Sequence, residues 1–213
     1  MKIYRLLKNV RFYILIFSFI LSLAYAIYIN NSFPDGIRVI KITQTYALTA
    51  AGFLYLALLA GPFCYNFKTP LNALYLKARR AIGVSAFYFA VLHASYGFLG
   101  ELGGFTSLSS LDLKYLIAIT LSFSGLIILS LMAATSFDFM VKFMTFKKWK
   151  LLHRFVYLAS FFILVHALLI GEHFRNLSNP ISVGSIIPIL FLIFLEGKRV
   201  VSNLITAISK SNT

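Results

Sequence analysis

Four histidines are the residues of this 213-residue chain whose type and spacing could do chemistry: His93, His153, His166 and His173. A neutral imidazole is a good iron ligand, and one on each face of a haem fills both axial positions. Such a centre keeps no open site for substrate, which suits electron transfer. His93 lies 13 residues beyond Arg80, and His166 lies 13 beyond His153 and 12 beyond Arg154. At 1.5 Å per helical residue, both sit about 20 Å along their helices. Two imidazoles at one depth on two helices are what a six-coordinate haem between them requires. The alternative is that each ring only hydrogen-bonds a neighbouring carbonyl or serine hydroxyl inside a helix bundle.

His153 is harder to place. Thirteen residues at about 100° each leave it about 140° from His166 on an ideal helix. Sharing that face would need a bulge or a wound-up turn. Arg79, 14 residues before His93, stands only about 40° off the His93 face, but arginine does not ligate iron and would instead pair with a haem propionate. His153 therefore has three readings: ligand of a second haem with an unusual partner, hydrogen-bond partner of a propionate or quinone, or cap at the helix entry. Arg79, Arg80 and Arg154 are candidate anchors for a propionate or a flavin phosphate, through charge-assisted bonds that lysine cannot reproduce. The competing reading gives them a topological role alone. His173, beside Glu172, reads as a solvated loop residue; Met132 is at a helical depth where it could ligate haem, though a thioether more often just fills a gap. The single cysteine, Cys64, excludes an internal disulfide, a thiolate-held iron–sulfur cluster and C-x-x-C-H haem attachment.

The elements that must hold these residues are set by composition. Sixty per cent of residues are apolar or aromatic and 12% are charged, with mean hydropathy +0.85. A soluble domain is about 45–50% apolar and about 25% charged, so this is an integral membrane protein. Six stretches approach the roughly 20 residues needed to cross a bilayer, near 12–30, 43–63, 80–100, 114–135, 151–171 and 181–197. The sixth carries Pro188 in its middle. The expected fold is one all-α domain over 1–213, a six-helix transmembrane bundle with haem between helices three and five.

Charge sets the orientation. With the N-terminus inside, sixteen of the 20 lysines and arginines fall at the cytoplasmic end and four (Arg38, Lys41, Lys114, Arg175) fall outside. This positive-inside bias puts both termini in the cytoplasm. The net charge of +14 is then explained by topology and contact with anionic lipid headgroups rather than by nucleic acid. Lys2 to Arg11, an apolar run and Ala24-Tyr25-Ala26 imitate a signal peptide. The run continues to Ile29, past that site, which favours a retained first helix. Asp and Glu are absent from the middle of every span, with Glu196 at the inner end of the sixth. That weighs against a proton- or cation-coupled transporter. No G-x-G-x-x-G occurs, so the chain cannot take hydride from a nicotinamide cofactor unaided.

Two runs carry a family resemblance. Arg79-Arg80-Ala81-Ile82-Gly83, then Tyr88, His93 and Tyr96, resembles the R-R-x-x-G…Y…L-H…Y run of ferric reductase-like membrane domains. Trp149-Lys150-Leu151-Leu152-His153-Arg154-Phe155-Val156-Tyr157, followed by His166, resembles their W…L-H-R…Y…H run. The chain most resembles the haem-binding membrane subunit of bacterial periplasmic methionine sulfoxide reductase systems (the MsrQ, or YedZ, family). The resemblance implies a six-helix bacterial inner-membrane protein that holds haem b and passes electrons outward to a separate periplasmic catalytic subunit. It further implies haem ligation by His93, His153 and His166, a bound flavin mononucleotide, and a quinol or a cytosolic flavin reductase as donor. Arg79 occupies a place where the wider superfamily has a second histidine, which counts against a full second haem. Two other functions fit the same residues: a ferric-chelate reductase-type cytochrome, and a non-redox transporter or assembly protein whose histidines only bridge helices.

Overall fold

The computed structural model describes residues 2–171 and 180–211. Among them, six helical stretches are long and apolar enough to span a membrane. The α-helices in chain order are α1 (Lys2–Ser32), α2 (Asp35–Asn66), α3 (Asn72–Ser95), α4 (Leu113–Ala134), α5 (Asp138–Met144), α6 (Phe146–Arg154), α7 (Val156–Ile170) and α8 (Pro180–Ser211). A π-helical turn, Tyr96–Glu101, extends α3, and a 3₁₀ segment, Gly104–Ser110, follows it. The short α5 lies between the fourth and fifth spans, and α6 with α7 makes the fifth.

Several boundaries depart from the apolar windows. The second helix begins at Asp35 rather than near 43, because Pro34 supplies an extended N-cap and Asp35 an acidic first turn. The third begins at Asn72 rather than 80, since nothing in 72–79 breaks a helix once the apolar part is under way. The sixth runs from Pro180 through Pro188 to Ser211 without interruption. The fifth is interrupted at Phe155, whose N–H bonds to the Leu152 carbonyl at 3.0 Å. That tightened turn invalidates the ideal-helix angle between His153 and His166.

With no hydrophobic drive between helices in lipid, close packing and hydrogen bonds hold the bundle. The most extensive pairs are α2 with α3 and α4 with α7. Where α1 crosses α3, the Ser18 and Ser85 hydroxyls bond at 2.7 Å, both fully buried. One turn further, Tyr88 meets the Ser22 hydroxyl at 2.8 Å, and Tyr46 donates to the Ser22 carbonyl at 3.0 Å. Phe89, fully buried, stacks on Phe53 at 5.6 Å between ring centres and packs against Tyr46. Many remaining hydroxyls bond the carbonyl one turn back, as Thr43 does to Val39 at 2.8 Å, so few polar groups face lipid unpaired.

Candidate functional site: a paired-histidine centre

His93 lies in the last turn of α3 and His166 near the end of α7. Their ring centres are 6.2 Å apart and the ring planes cross at 76°. The matched depth read from the sequence is realised as a direct pairing. Both rings are half-buried.

Each imidazole is oriented by a neighbouring helix. His93 Nδ1 donates to the Thr43 carbonyl of α2 at 3.1 Å, and His166 Nδ1 donates to the Ala118 carbonyl of α4 at 2.9 Å. A carbonyl only accepts, so Nδ1 carries the proton in both rings and the neutral tautomer leaves a lone pair on Nε2. This is the arrangement that fixes metal-ligating histidines: one nitrogen held by a backbone oxygen, the other free to ligate. Bonds of about 2 Å from two imidazole nitrogens to one metal place the ring centres about 6 Å apart, which is the separation found. Among the described residues no three His, Cys, Asp or Glu side chains converge. The donor set therefore suits a centre whose remaining ligands come from a macrocycle, and does not suit an all-protein metal cage.

Small residues let the supporting helices approach. The Cβ of any residue replacing Gly100 in the π turn would stand 2.6 Å from Val39 Cγ1 on α2. Glycine there lets the chain after His93 lie against α2 within reach of Thr43. A Cβ at Gly125 on α4 would stand 3.3 Å from Ile163 Cγ1 and 3.5 Å from the Ala159 carbonyl on α7. Ala118 and Ala159 are fully buried at this crossing, which brings the Ala118 carbonyl to His166.

His153 does not join the pair. It stands on α6, before the break at Phe155, about 20 Å of helix from His166. Its Nε2 lies 3.3 Å from the Thr135 hydroxyl, and its ring packs on Trp149 at 4.1 Å between centres. Trp149 in turn donates to the Thr135 carbonyl at 3.0 Å, and the Arg80 guanidinium lies over the indole at 5.4 Å. Arg80 also bonds Asp138 at 2.5 Å, and Arg11 Nη1 reaches both oxygens of Asp138 at 3.0 Å. Asp138 thus ties α1, α3 and α5 together at the basic end of the bundle.

The three candidate anchors separate. Arg79 donates from Nε to the Ala57 carbonyl at 2.8 Å, and among the described residues its two terminal amino groups meet no acceptor. Arg80 is held by Asp138 and Trp149, and Arg154 is exposed. Tyr157 donates to Glu196 at 3.1 Å, and Glu196 also pairs with Arg199. Met132 packs, partly buried, against the interior cluster, and Cys64 is buried. His173, with Glu172, lies outside the described residues. Sequence reading missed Thr43 and Ala118, whose contribution is a backbone carbonyl and carries no side-chain signature. It also missed Asp138, whose signal was a lone acid in a basic segment.

The Arg11 and Arg80 bonds hold the Asp138 carboxyl below the ordinary carboxylate value of 3.8, Arg11 having the larger effect. A depressed value means the pairing stabilises fully above that ordinary value and is lost as pH falls through the lower one. The carboxylate is 68% exposed, so the effect is modest and weakens with salt. Unfolding midpoints measured at low salt should differ by a constant amount between wild type and Asp138→Asn above about pH 4 and converge below it.

A family model described as the ferric reductase like transmembrane component matches residues 45–170, which contain both histidines and Ala118 and begin two residues after Thr43. The chain is 30% identical over 139 residues to the protein-methionine-sulfoxide reductase heme-binding subunit MsrQ of Polaromonas naphthalenivorans, covering 65% of this chain and 62% of that protein. It is 30% identical over 141 residues to the Herminiimonas arsenicoxydans protein of the same name, covering 59% and 60%. For the Rhodospirillum rubrum counterpart the figures are 31% over 121 residues, covering 56% and 57%. The matched part spans about three-fifths of the length of these relatives.

Proposed function

Because the chain belongs to the ferric reductase-like transmembrane family, we propose that it is a membrane b-type cytochrome that relays electrons across the bilayer, with His93 and His166 as axial ligands of haem b. The observation that carries this is the 6.2 Å pairing of two rings whose Nδ1 atoms are both committed to backbone carbonyls. The name of the relatives, a heme-binding subunit, supports the same cofactor. Bound there, haem supplies one-electron ferric–ferrous chemistry. The chain's own residues do the rest. Thr43 and Ala118 fix the imidazoles, the aromatic packing of Phe53, Phe89 and Tyr46 holds α3 against α2, and the basic end supplies positive charge that tunes potential. Arg79 and Arg154 are the anchors for an anionic cofactor group, a haem propionate or the phosphate of a flavin mononucleotide. Arg80 serves instead to seat Trp149 against His153.

The basic end lies in the cytoplasm of a bacterial cell and receives electrons from a quinol or a cytosolic flavin reductase. The opposite end delivers them to a periplasmic methionine sulfoxide reductase catalytic subunit. The protein is an electron-transfer subunit whose terminal chemistry belongs to its partner. His153, set apart from the pair, positions the entry side of the path rather than completing the His93–His166 centre.

The delivery step is tested kinetically. Haem reduced chemically in membranes should reoxidise quickly only when a periplasmic catalytic subunit and methionine sulfoxide are both added. Fast reoxidation by ferric citrate without any added protein would assign the chain to small-acceptor reduction instead.

A further inference from the structure

The segment joining the fourth and fifth spans carries an apolar surface that the bundle does not cover. Phe137, Phe139, Phe143 and Phe146 are 65%, 67%, 78% and 64% exposed. Those figures match lipid-facing phenylalanines within the spans, such as Phe12 and Phe123 at 62%. Four such rings in ten residues would be costly in water, yet three of them lie between the fourth and fifth spans and Phe146 at the very start of the fifth.

The arrangement on α5 is ordered. At 100° per residue, Asp138 and Lys142 share one edge of the exposed arc, and Phe139 and Phe143 share the adjoining edge. Met140, Val141 and Met144 take the remaining side and are half-buried against the protein. Thr145 then turns the chain with φ 65° and ψ 146°, a conformation rare for a β-branched residue. The turn keeps Phe146 exposed beside Lys147, Lys148 and Lys150. Phenyl rings interleaved with lysines at a membrane boundary are the composition of an interfacial anchor. Only one acid, Asp138, stands among these bases, and Arg11 and Arg80 already neutralise it. The charge left over is positive and calls for an anionic surface.

We propose that residues 137–150 form a monotopic anchor seated in anionic phospholipid at the basic end of the bundle. Phe139, Phe143 and Phe146 enter the acyl boundary, while Lys142, Lys147 and Lys150 engage lipid phosphates. Asp138 couples this seat to the interior through Arg80 and Trp149, so the anchor fixes the surroundings of His153. The inference rests on exposure and charge and is independent of the haem assignment.

Site-directed spin labelling tests it. Nitroxides are placed by Phe139→Cys, Phe143→Cys and, as the headgroup-side control, Lys148→Cys, each in a Cys64→Ala background. The protein is reconstituted in nanodiscs of phosphatidylcholine with or without phosphatidylglycerol. Collision with oxygen, which concentrates in hydrocarbon, should exceed collision with a water-soluble nickel chelate severalfold more at 139 and 143 than at 148. Phosphatidylglycerol should deepen position 143, and combined Lys142→Gln, Lys147→Gln and Lys150→Gln should abolish that deepening. Chelate-dominated collision at 139 and 143 would place the segment in water and overturn the proposal. Low collision with both reagents would mean that protein, including a second copy of this chain, covers the face, and would overturn it equally. Indifference to phosphatidylglycerol would overturn the anionic-lipid assignment. The labelled phenylalanines are exposed, and Phe146→Cys gives a further position should either variant fail to fold.

Discussion

His93→Ala and His166→Ala should each remove most of the visible haem absorbance of the purified protein, while His153→Ala should leave at least one haem in place. An imidazole whose Nδ1 is already bound to a carbonyl presents Nε2 at almost no further ordering cost, because its rotamer and tautomer are set before the ligand arrives. Removing a residue that merely orients such a ligand costs about 10–100-fold in metal affinity, and removing the ligand itself should cost more. The backbone acceptors cannot be deleted by substitution, so the histidines are the accessible handle. Absorbance per mole of protein, with folding checked independently, is the measurement. Total loss of haem in His153→Ala, with a retained spectrum in His166→Ala, would mean that the ligands are paired differently.

Gly125→Leu should separate α4 from α7 and release His166 from the Ala118 carbonyl, whereas Gly125→Ala should be tolerated. A methyl at this position meets Ile163 Cγ1 at 3.3 Å and the Ala159 carbonyl at 3.5 Å, so a shift of a few tenths of an ångström accommodates it. A leucine side chain has nowhere to go, since Ala118 and Ala159 are fully buried on the same seam. Overpacking of this kind costs about 1–3 kcal/mol. In a bundle held by close approach of small residues, that cost appears as helix separation. The expected readouts are a lowered unfolding temperature and loss of haem content in the leucine variant only. Equal haem content in both variants would show that the α4–α7 seam does not position His166.

What could be read from the chain alone follows from which signals are local. Six spans and the His93–His166 pairing were legible because length, hydropathy and helical rise are properties of single segments, and depth along one helix can be compared with depth along another. Angles survive only while a helix is unbroken. The turn at Phe155 separated His153 from the arithmetic that tried to place it against His166. The early starts of α2 and α3 were hidden for a different reason: a helix can begin in polar sequence outside the apolar window that announces the span. Thr43 and Ala118 act through carbonyl oxygens, which every residue has. The link from Arg80 to Asp138 joins residues 58 apart in sequence, and only the packing of α5 against the bundle brings them together. The Trp149–His153 contact, by contrast, has the four-residue spacing of neighbours on one helix face and was present in the sequence to be read.

The most direct test of the central claim is a reduced-minus-oxidised visible spectrum of the protein purified from haem-replete cells. The paired-histidine account predicts a shifted Soret band and a sharp α-band on reduction, from a low-spin centre with both axial positions filled by nitrogen. A preparation with no Soret or α-band would contradict it, and would leave His93 and His166 as helix-bridging side chains in a membrane protein of another function.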